Sequence, residues 1–416
     1  MNTLTSTAEK SGERSGSITD RWAKAIFLRF MGHLDQGRLT VRDGEEVLSF
    51  GSDRQLSAHV TVLDQRFYSK VILGGSIGAG EAYIDRLWDT SDLVAVVRVI
   101  ARNMAMLDRL EKRFGWLFQP YQLLLHRRNR NSKSGARRNI ISHYDLGNDL
   151  YGAFLDSRMM YSSAIYPDST SDLEQAAVNK LAIICRKLDL KPDDEVIEIG
   201  SGWGGFAIYA AANYGCRVTT TTISEAQYLE AKRRIEEAGL NDKITLLMKD
   251  YRDLDSTFDK LVSIEMIEAV GHEYLPEYFA KCSSLLKQNG RMLIQAITIN
   301  DQNYDKYIKE VDFIQRHVFP GGCLVANKVM FDLIDRKTDM VVRGLEDYGI
   351  DYARTINDWR VAFNRSLDSH ELTGYDDRFR RLWNFYLAYC EGGFRERSIS
   401  VVHLVATKPG FRSEIS

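Results

Sequence analysis

From about residue 141 onward, the chain alternates between two patterns of hydrophobic positions. Short runs of apolar and β-branched residues are typical of strands buried on both faces, whereas apolar residues every three or four positions are typical of amphipathic helices. The strand-like runs are 195–199, 216–222, 244–248, 260–264 and 291–297, and the helical segments are 173–188, 206–212, 225–238 and 274–286. This alternation predicts an α/β fold with helices on both faces of a parallel sheet. A last run at 399–407, after a helix at 378–390, is predicted to close the sheet edge together with 341–345.

The first part of the chain has a mixed pattern, which predicts a smaller α+β domain. Its predicted elements are a helix at 22–31, strands at 38–41 and 59–63, a glycine-marked turn at 73–81 and a helix at 92–110. Residues 121–140 carry no acidic side chain and no apolar periodicity, which favours a basic interdomain linker. We therefore expect a disordered lead-in (1–20), an N-terminal domain (21–120), the linker (121–140) and a larger domain (141–416).

Composition narrows the class of protein. Lys and Arg number 55 and Asp and Glu 57, a formal net charge of −2, so the chain is no polycation built to bind nucleic acid. The five cysteines are widely spaced without a Cys-x-x-Cys pair, which argues against a disulfide scaffold or a metal site and favours a cytoplasmic protein. No run approaches the ~20 apolar residues of a membrane span. The charge is uneven, because residues 101–140 hold ten basic and two acidic side chains.

A glycine-rich loop follows the first predicted strand of the larger domain. The strand 195–199 leads into Gly200-Ser201-Gly202-Trp203-Gly204-Gly205 and then a helix, a pattern that lets a ligand approach the backbone and the helix N-terminus. Glu198 at the strand end, and the bulky Trp203 in a loop where packing does not require it, favour a ligand over an empty turn. A dinucleotide site needs an acidic residue roughly 20 positions further on, but 218–224 contain none. NAD is therefore disfavoured, and S-adenosylmethionine is the alternative, its charged amino-acid tail held by backbone groups and Glu198.

Six ordered motifs extend this interpretation. The segment Glu198-x-Gly200-x-Gly202-x-Gly204 resembles motif I of class I methyltransferases, whose Rossmann-like fold has a seven-stranded sheet. The full set resembles the cyclopropane-fatty-acyl-phospholipid synthase family, long two-domain bacterial type, over about residues 60–408. The motifs are 143–149 (HYDLGND), 160–164 (MYSSA), 200–205 (GSGWGG), 222–227 (TISEAQ), 250–253 (DYRD) and 319–322 (FPGG).

The resemblance implies roles for individual residues at the cofactor site. It assigns the methionine part of S-adenosylmethionine to Tyr161, Ser162, Gly200, Ser201 and Gly202, the ribose to Thr222 and Gln227, and the border of the adenine to Tyr251, Arg252 and Ile264. The implied reaction transfers a methyl group to a cis double bond of an unsaturated phospholipid acyl chain. It leaves a carbocation, which aromatic faces such as those of Trp203, Tyr161, Tyr352 and Tyr386 would stabilise. Proton loss would then close a cyclopropane ring.

In this family the proton acceptor is a bound bicarbonate held by five positions. Three of them match here, namely Glu268, the backbone at Ile297, and Tyr352. At the other two positions, Ser163 replaces the usual cysteine and Gln295 replaces the usual histidine. Glutamine cannot carry a positive charge or relay a proton as histidine does, so the bicarbonate site is in doubt. Glu268, with Tyr352 as its hydrogen-bond partner, is the natural alternative base.

Other outcomes remain open from the sequence. The same methyl transfer can end in a methylene- or methyl-branched acyl chain, because Ser163 and Gln295 depart from the usual pattern. Two further alternatives are a methyltransferase acting on a small soluble acceptor and an inactive homologue that only binds lipid. For a lipid enzyme, we expect peripheral attachment to the inner face of the membrane, with anionic headgroups bound by the basic residues from Arg127 to Arg138. The resemblance also implies a homodimer and a lipid- or membrane-associated N-terminal domain (21–120).

Overall fold

A computed structural model describes residues 16–107 and 147–412. These residues fall into two compact units that divide between positions 114 and 115. Within the described residues, no helix is both long and apolar enough to cross a membrane. The predicted linker, including Arg127 to Arg138, lies outside the described residues.

The N-terminal unit is a small α+β domain, as its mixed pattern predicts. Its elements are α1 (Ile18–Met31), β1 (Arg38–Asp43), β2 (Glu46–Phe50), β3 (Ser57–Val62), α2 (Arg66–Ile84), β4 (Trp88–Asp89) and α3 (Leu93–Arg102). The four strands form a sheet in the order β2-β1-β3-β4. Helix α1 begins inside the predicted lead-in, because Ser17 and Asp20 form a reciprocal capping box at its start.

The predicted glycine turn lies inside α2. Helical backbone continues on both sides of Gly75, which has φ +54° and ψ −135° and bends the helix sharply. The bend brings Gly78 against the carbonyl oxygen of Lys70, where a Cβ atom would stand only 1.9 Å away. The glycines therefore join two helical segments at a close contact and do not end the helix.

The second unit is a seven-stranded sheet covered by helices. Its helices are α4 (Asn148–Gly152), α5 (Leu173–Leu188), α6 (Gly205–Tyr214), α7 (Glu225–Glu237), α8 (Leu275–Ser284), α9 (Tyr304–Tyr307), α10 (Phe313–His317), α11 (Asn327–Lys337), α12 (Gly349–Asp368) and α13 (Asp377–Arg395). Its strands are β5 (Glu195–Ile199), β6 (Arg217–Thr222), β7 (Ile244–Met248), β8 (Phe258–Ile264), β9 (Leu286–Ile299), β10 (Val341–Asp347) and β11 (Ile399–Thr407). Short 3-10 turns follow β7 and β8.

The strand order is β10-β11-β9-β8-β5-β6-β7. Strands β7, β6, β5, β8 and β9 pair in parallel, and β11 is antiparallel to both of its neighbours. The predicted closure of the edge by β10 and β11 is confirmed. Because the chain runs outward in opposite directions from β5, the carboxyl ends of β5 and its neighbours form the crevice where ligands bind in open α/β sheets.

Two hydrophobic cores lie on opposite faces of this sheet. Adjacent residues of β5 divide between them, because Val196 packs in one core with Phe206 of α6, and Ile197 packs in the other with Phe279 of α8. Side chains of successive strand residues point to opposite faces, so a strand covered on both sides must be apolar at almost every position. Burial of both faces of the strands therefore explains the continuous apolar runs in the sequence.

The bend in α2 generates a stability prediction. We expect Gly78→Ala to destabilise the protein by roughly 1–3 kcal/mol, because the new methyl group meets backbone that cannot rotate away. Gly74→Ala is the matched control, since its Cβ would meet no atom within 4 Å and alanine favours a helix. Urea unfolding of the full chain measures the difference. Equal midpoints for both variants would contradict the close contact.

Candidate active site

The loop after β5 passes through three left-handed backbone conformations. Gly200, Gly202 and Gly204 have φ values of +95°, +49° and +86°, which residues with a Cβ rarely adopt. The backbone N–H groups of Gly200 and Ser201 both donate to the carbonyl of Thr221, at 3.0 and 2.9 Å. The loop is thereby fixed to strand β6 at the carboxyl end of the sheet.

A cavity opens beside this loop, at the carboxyl ends of β5, β6 and β8. Its walls include all but one of the predicted cofactor residues: Tyr161, Ser162, Glu198, Gly200, Ser201, Gly202, Thr222, Gln227, Tyr251, Arg252 and Ile264. Gly204 is the exception, because it caps α6 and a Cβ atom at this position would contact Ala231 of α7. The structure therefore brings residues from distant motifs around one space.

Trp203 lines the cavity but also has a packing role that the sequence did not reveal. Its indole N–H donates to Asn148 Oδ1 at 2.8 Å, and its ring lies 5.0 Å from that of Tyr151. The side chain is 2% exposed. The expectation that packing does not require this aromatic residue is wrong, because it joins the glycine loop to α4.

Glu198 is a buried carboxyl group on the cavity wall. Thr220 Oγ1 donates to its Oε2 at 2.6 Å. Burial raises the pKa of Glu198 to about 8, and the hydrogen bond from Thr220 and the charge of Lys180 reduce that rise. The group is therefore largely protonated below pH 8 unless a positive charge reaches the cavity.

Lys180 is a second buried charge near this site, and sequence reasoning missed it. It lies on α5, is 0% exposed, and its Nζ donates to Ser162 Oγ at 2.7 Å. Burial lowers the pKa of Lys180 to about 8, opposed by the charges of Glu265, Asp156 and Glu198. A lysine within an apolar helical face is a weak signal in the sequence, because helical periodicity does not show which polar residue points inward.

The residues that the resemblance assigns to the ribose and the adenine are held in place by local hydrogen bonds. Thr222 Oγ1 donates to Gln227 Oε1 at 3.0 Å, across the turn from β6 into α7. Arg252 is held by Asp250 through two hydrogen bonds of 2.9 and 2.7 Å. These side chains have fixed orientations on the cavity wall, so a bound ligand would need little reorganisation of the protein.

Glu265 is the centre of the acidic part of the site, and the sequence analysis assigned it no role. It directly follows β8 and lines the cavity. Its Oε1 accepts from the backbone N–H of Ser163 at 2.8 Å and from Gln295 Nε2 at 2.6 Å. Its Oε2 accepts from the Tyr352 hydroxyl at 2.6 Å. The available sequence signal was a charged residue placed immediately after a buried parallel strand.

Glu268, the expected base, has a different environment. Its Oε1 accepts the backbone N–H of Ile297 at 2.5 Å, and its buried Oε2 has no hydrogen-bond partner among the described residues. Burial and the charge of Glu265 raise the pKa of Glu268 to about 8. The residue is absent from the cavity walls. Burial also raises the pKa of Glu265, but hydrogen bonds from Tyr352, Ser163 and Gln295 oppose that rise. With three donors on Glu265 and one on Glu268, the negative charge is favoured on Glu265 and the proton on Glu268.

The other predicted acceptor-site residues surround Glu265. The Ser163 hydroxyl donates to the carbonyl of Ala164 at 2.9 Å, so only the backbone N–H of Ser163 reaches Glu265. Gln295 is paired through its Oε1 with His403 Nε2 at 2.9 Å. That contact places the amide oxygen toward His403 and the amide N–H groups toward Glu265.

Comparison with known proteins places this geometry in a family. The family model for mycolic acid cyclopropane synthetase matches residues 131–404. The chain is 35% identical to the tuberculostearic acid methyltransferase UfaA1 of Mycobacterium tuberculosis, over 81% of this chain and 80% of that protein. It is also 35% identical to the cyclopropane-fatty-acyl-phospholipid synthase of Escherichia coli K12, over 84% of this chain and 88% of that protein.

Solved structures show the same fold. The cyclopropane synthase MmaA2 of Mycobacterium tuberculosis superimposes with a TM-score of 0.61 at 24% identity, over 65% of this chain and 98% of that chain. The mycolic acid cyclopropane synthase CmaA1, in a complex with S-adenosylhomocysteine (SAH) and CTAB, has a TM-score of 0.61 at 25% identity, with the same shares covered.

The sheet, the glycine loop and the cavity therefore define an S-adenosylmethionine-dependent methyltransferase. Within that class, the chain belongs to the cyclopropane synthase family.

The cavity suits S-adenosylmethionine on its own chemistry. A Cβ atom at Gly202 would meet no atom within 4 Å, so the loop leaves open space beside its backbone. Glu198 offers a carboxyl group for the ligand's ammonium, and Ile264 and Val270 offer apolar wall beside Tyr251. A cationic ligand would offset the cost of ionising the Glu198 carboxyl group, whose pKa is raised by burial.

The pKa of Glu198 generates a binding prediction. We expect S-adenosylmethionine to bind more tightly at pH 8 than at pH 6, because Glu198 must lose its proton to pair with the ammonium. Burial lowers the pKa of Lys180 to about 8, so its positive charge also decreases between pH 6 and pH 8, which favours a cationic ligand in the same direction. Glu198→Gln should weaken binding at pH 8 by roughly 10- to 100-fold, the usual worth of a charge-assisted hydrogen bond, and reduce the pH dependence to the part that Lys180 contributes. Titration calorimetry measures both effects.

Glu195→Gln is the matched control for this experiment. Glu195 lies at the start of the same strand, is partly exposed and is absent from the cavity walls. Its variant should bind the cofactor as the wild type does. Affinity of Glu198→Gln equal to that of the wild type at both pH values would contradict the assigned ion pair.

Proposed function

We propose that this protein transfers the methyl group of S-adenosylmethionine to the cis double bond of an unsaturated acyl chain in a membrane phospholipid, giving a cyclopropane chain. The main support for the proposal is that residues of the cofactor motifs and Glu265 line the same cavity. A relative at 35% identity is the cyclopropane-fatty-acyl-phospholipid synthase of Escherichia coli, which supports both the substrate and the product.

The mechanism assigns separate tasks to the two halves of the cavity. When bound, S-adenosylmethionine supplies an activated methyl group, which a poorly nucleophilic double bond requires. Gly200 and Ser201 place backbone beside the ligand, and Glu198 holds its ammonium. A closed cavity excludes water, which would otherwise capture the carbocation on the acyl chain.

Aromatic rings border the region where that cation would form. Tyr161 lines the cavity, its ring centre is 5.3 Å from that of Trp359, and its hydroxyl lies 2.8 Å from that of Tyr386. Aromatic faces attract cations more strongly where water is absent. Of the four rings considered for this role, Tyr161 and Trp203 reach the cavity wall, whereas Tyr352 and Tyr386 lie behind it and hold Glu265 and Tyr161 through their hydroxyl groups.

A methylene- or methyl-branched product is the second candidate. Gln295 and Ser163 stand where the family usually has histidine and cysteine, and the tuberculostearic acid methyltransferase UfaA1 is as similar to this chain as the cyclopropane synthase is. Direct loss of a proton from the new methyl group closes the cyclopropane ring, whereas a hydride shift before that proton loss leaves a methylene branch. A saturated methyl branch further requires a hydride donor, so the timing of proton removal relative to the hydride shift decides between ring and methylene.

The activity prediction uses vesicles of a cis-monounsaturated phospholipid with purified protein and S-adenosylmethionine. We expect acyl chains heavier by one CH2 group by mass spectrometry, with the release of one equivalent of SAH. Proton NMR then separates cyclopropane protons at high field from vinylic protons. Vesicles of a saturated phospholipid are the matched control. Protein that binds the cofactor but modifies no unsaturated chain would contradict the proposal, and turnover on soluble acceptors alone would favour a small-molecule methyltransferase.

Substrate must reach the cavity from a bilayer, and we propose that the protein docks at the inner face of the membrane, as a homodimer. The basic residues from Arg127 to Arg138 are the proposed contact with anionic headgroups. Neutralising Arg127, Arg128 and Arg130 to Gln should weaken binding to anionic vesicles by about 1 kcal/mol per charge. Vesicle sedimentation at low salt measures this loss.

The control for membrane docking replaces exposed arginines elsewhere with Gln, namely Arg42, Arg54 and Arg217. Both variants lose the same formal charge, so a specific contact requires that only the first variant lose affinity. Equal losses would show that net charge alone drives association.

A further inference from the structure

Glu265 occupies the position that the resemblance reserves for an external anion. Five groups were expected to hold bicarbonate: Ser163, Glu268, Gln295, Ile297 and Tyr352. Three of them instead donate hydrogen bonds to the Glu265 carboxylate, at 2.6 to 2.8 Å. A fourth, the backbone N–H of Ile297, donates to the fifth, Glu268. Bicarbonate does not fit this site, because its donors are already used by a side chain of the protein.

The backbone at Glu265 supports a functional reason for its presence. Its φ of +48° lies in the left-handed region, which costs free energy for any residue with a side chain. Glycine would adopt this conformation without strain. Glu265 keeps this conformation at the wall of a cavity, and backbone strain of this kind is found at functional sites.

The contacts behind Glu265 form a chain of donors directed at its carboxylate. Lys187 Nζ lies 3.2 Å from His403 Nδ1, and His403 Nε2 lies 2.9 Å from Gln295 Oε1. Burial and the nearby lysine charges hold the pKa of His403 well below its usual range, so the imidazole is neutral. With Lys187 donating to Nδ1, the ring proton is on Nε2, and Gln295 in turn donates to Glu265. The chain positions the amide and stabilises the carboxylate as an anion.

From this geometry we infer that Glu265 is the resident general base of the reaction and replaces bicarbonate. This inference rests on the proposed function. In the proton-transfer step, a C–H bond of the methylated cation breaks and its electron pair forms the new carbon–carbon bond. The proton goes to a carboxylate oxygen of Glu265 and passes to solvent before the next turnover. Glu268 is then a neighbouring acid that keeps its own proton and holds the backbone of Ile297.

The decisive experiment compares bicarbonate dependence in the wild type and in two variants. In buffer freed of carbon dioxide, the wild type should turn over at the same rate with and without added bicarbonate. Glu265→Gln keeps the side-chain volume but cannot accept the proton, and its turnover should fall at least about 100-fold, the usual worth of a general base. Added bicarbonate should not restore it, because the amide still fills the site.

Glu265→Gly tests the same assignment by rescue. Glycine suits the positive φ and vacates the donors of Ser163, Gln295 and Tyr352, so bicarbonate should restore turnover in a saturable manner, by at least about 10-fold over the carbon-dioxide-free rate. Asp189→Gly is the matched control, because Asp189 is also an acidic residue at positive φ (+53°) but caps α5 away from the cavity walls. Its activity should be that of the wild type and indifferent to bicarbonate.

Three outcomes would overturn the inference. They are a wild type that loses activity when carbon dioxide is removed, a Glu265→Gln variant with wild-type turnover, and a Glu265→Gly variant that binds the cofactor normally yet responds to no concentration of bicarbonate. Failure of the proposed function is distinguishable from all three, because the wild type would then release no SAH with unsaturated vesicles under any condition.

Discussion

The acidic part of the site depends on one buried carboxylate that is fully supplied with donors. Glu265 receives hydrogen bonds from a backbone N–H, an amide and a phenol, and such donors are what allow a carboxylate to remain charged away from water. The supporting groups come from segments far apart in the chain, with Ser163 before α5, Gln295 on β9 and Tyr352 on α12. If the Glu265 carboxylate were removed, the buried donors around it would have no acceptor. The carboxylate and the residues that donate to it therefore stabilise each other.

The pairing of strands in the sheet makes this convergence possible. In β8 and β9, Ile264 is paired with Gln295, and in β9 and β11, Gln295 is paired with His403. Side chains at paired positions on neighbouring strands lie on the same face of a sheet. Register therefore places the amide and the imidazole side by side, and the backbone N–H of Glu265, the residue after Ile264, donates to the Gln295 carbonyl at 2.8 Å. A slip by one residue in β9 would turn Gln295 to the opposite face.

Opposite charges are distributed through the cavity in a way that suits a cationic cofactor and a cationic intermediate. The charges of Glu265 and Glu198 both stabilise the positive charge of Lys180. Burial raises the pKa of Glu198 and lowers that of Lys180, both to about 8. Because desolvation penalises each charge, the arrival of a positive ligand changes the protonation of the wall.

The sequence by itself determined the periodic elements, the sheet and the cofactor motifs, because those features are encoded by neighbouring residues. The bounds of β5, β7 and α5 were predictable to the residue, since burial on both faces requires continuous apolar runs and since Asp172 caps α5 locally. The glycines at 73–81 predict a turn, whereas the structure has a bend within α2, because glycine is common in both. The roles of Glu265, Lys180, His403 and Trp203 were decided only by the tertiary structure. Each depends on partners more than 15 positions away in the chain, and no local pattern states which polar side chain will be buried beside which donor.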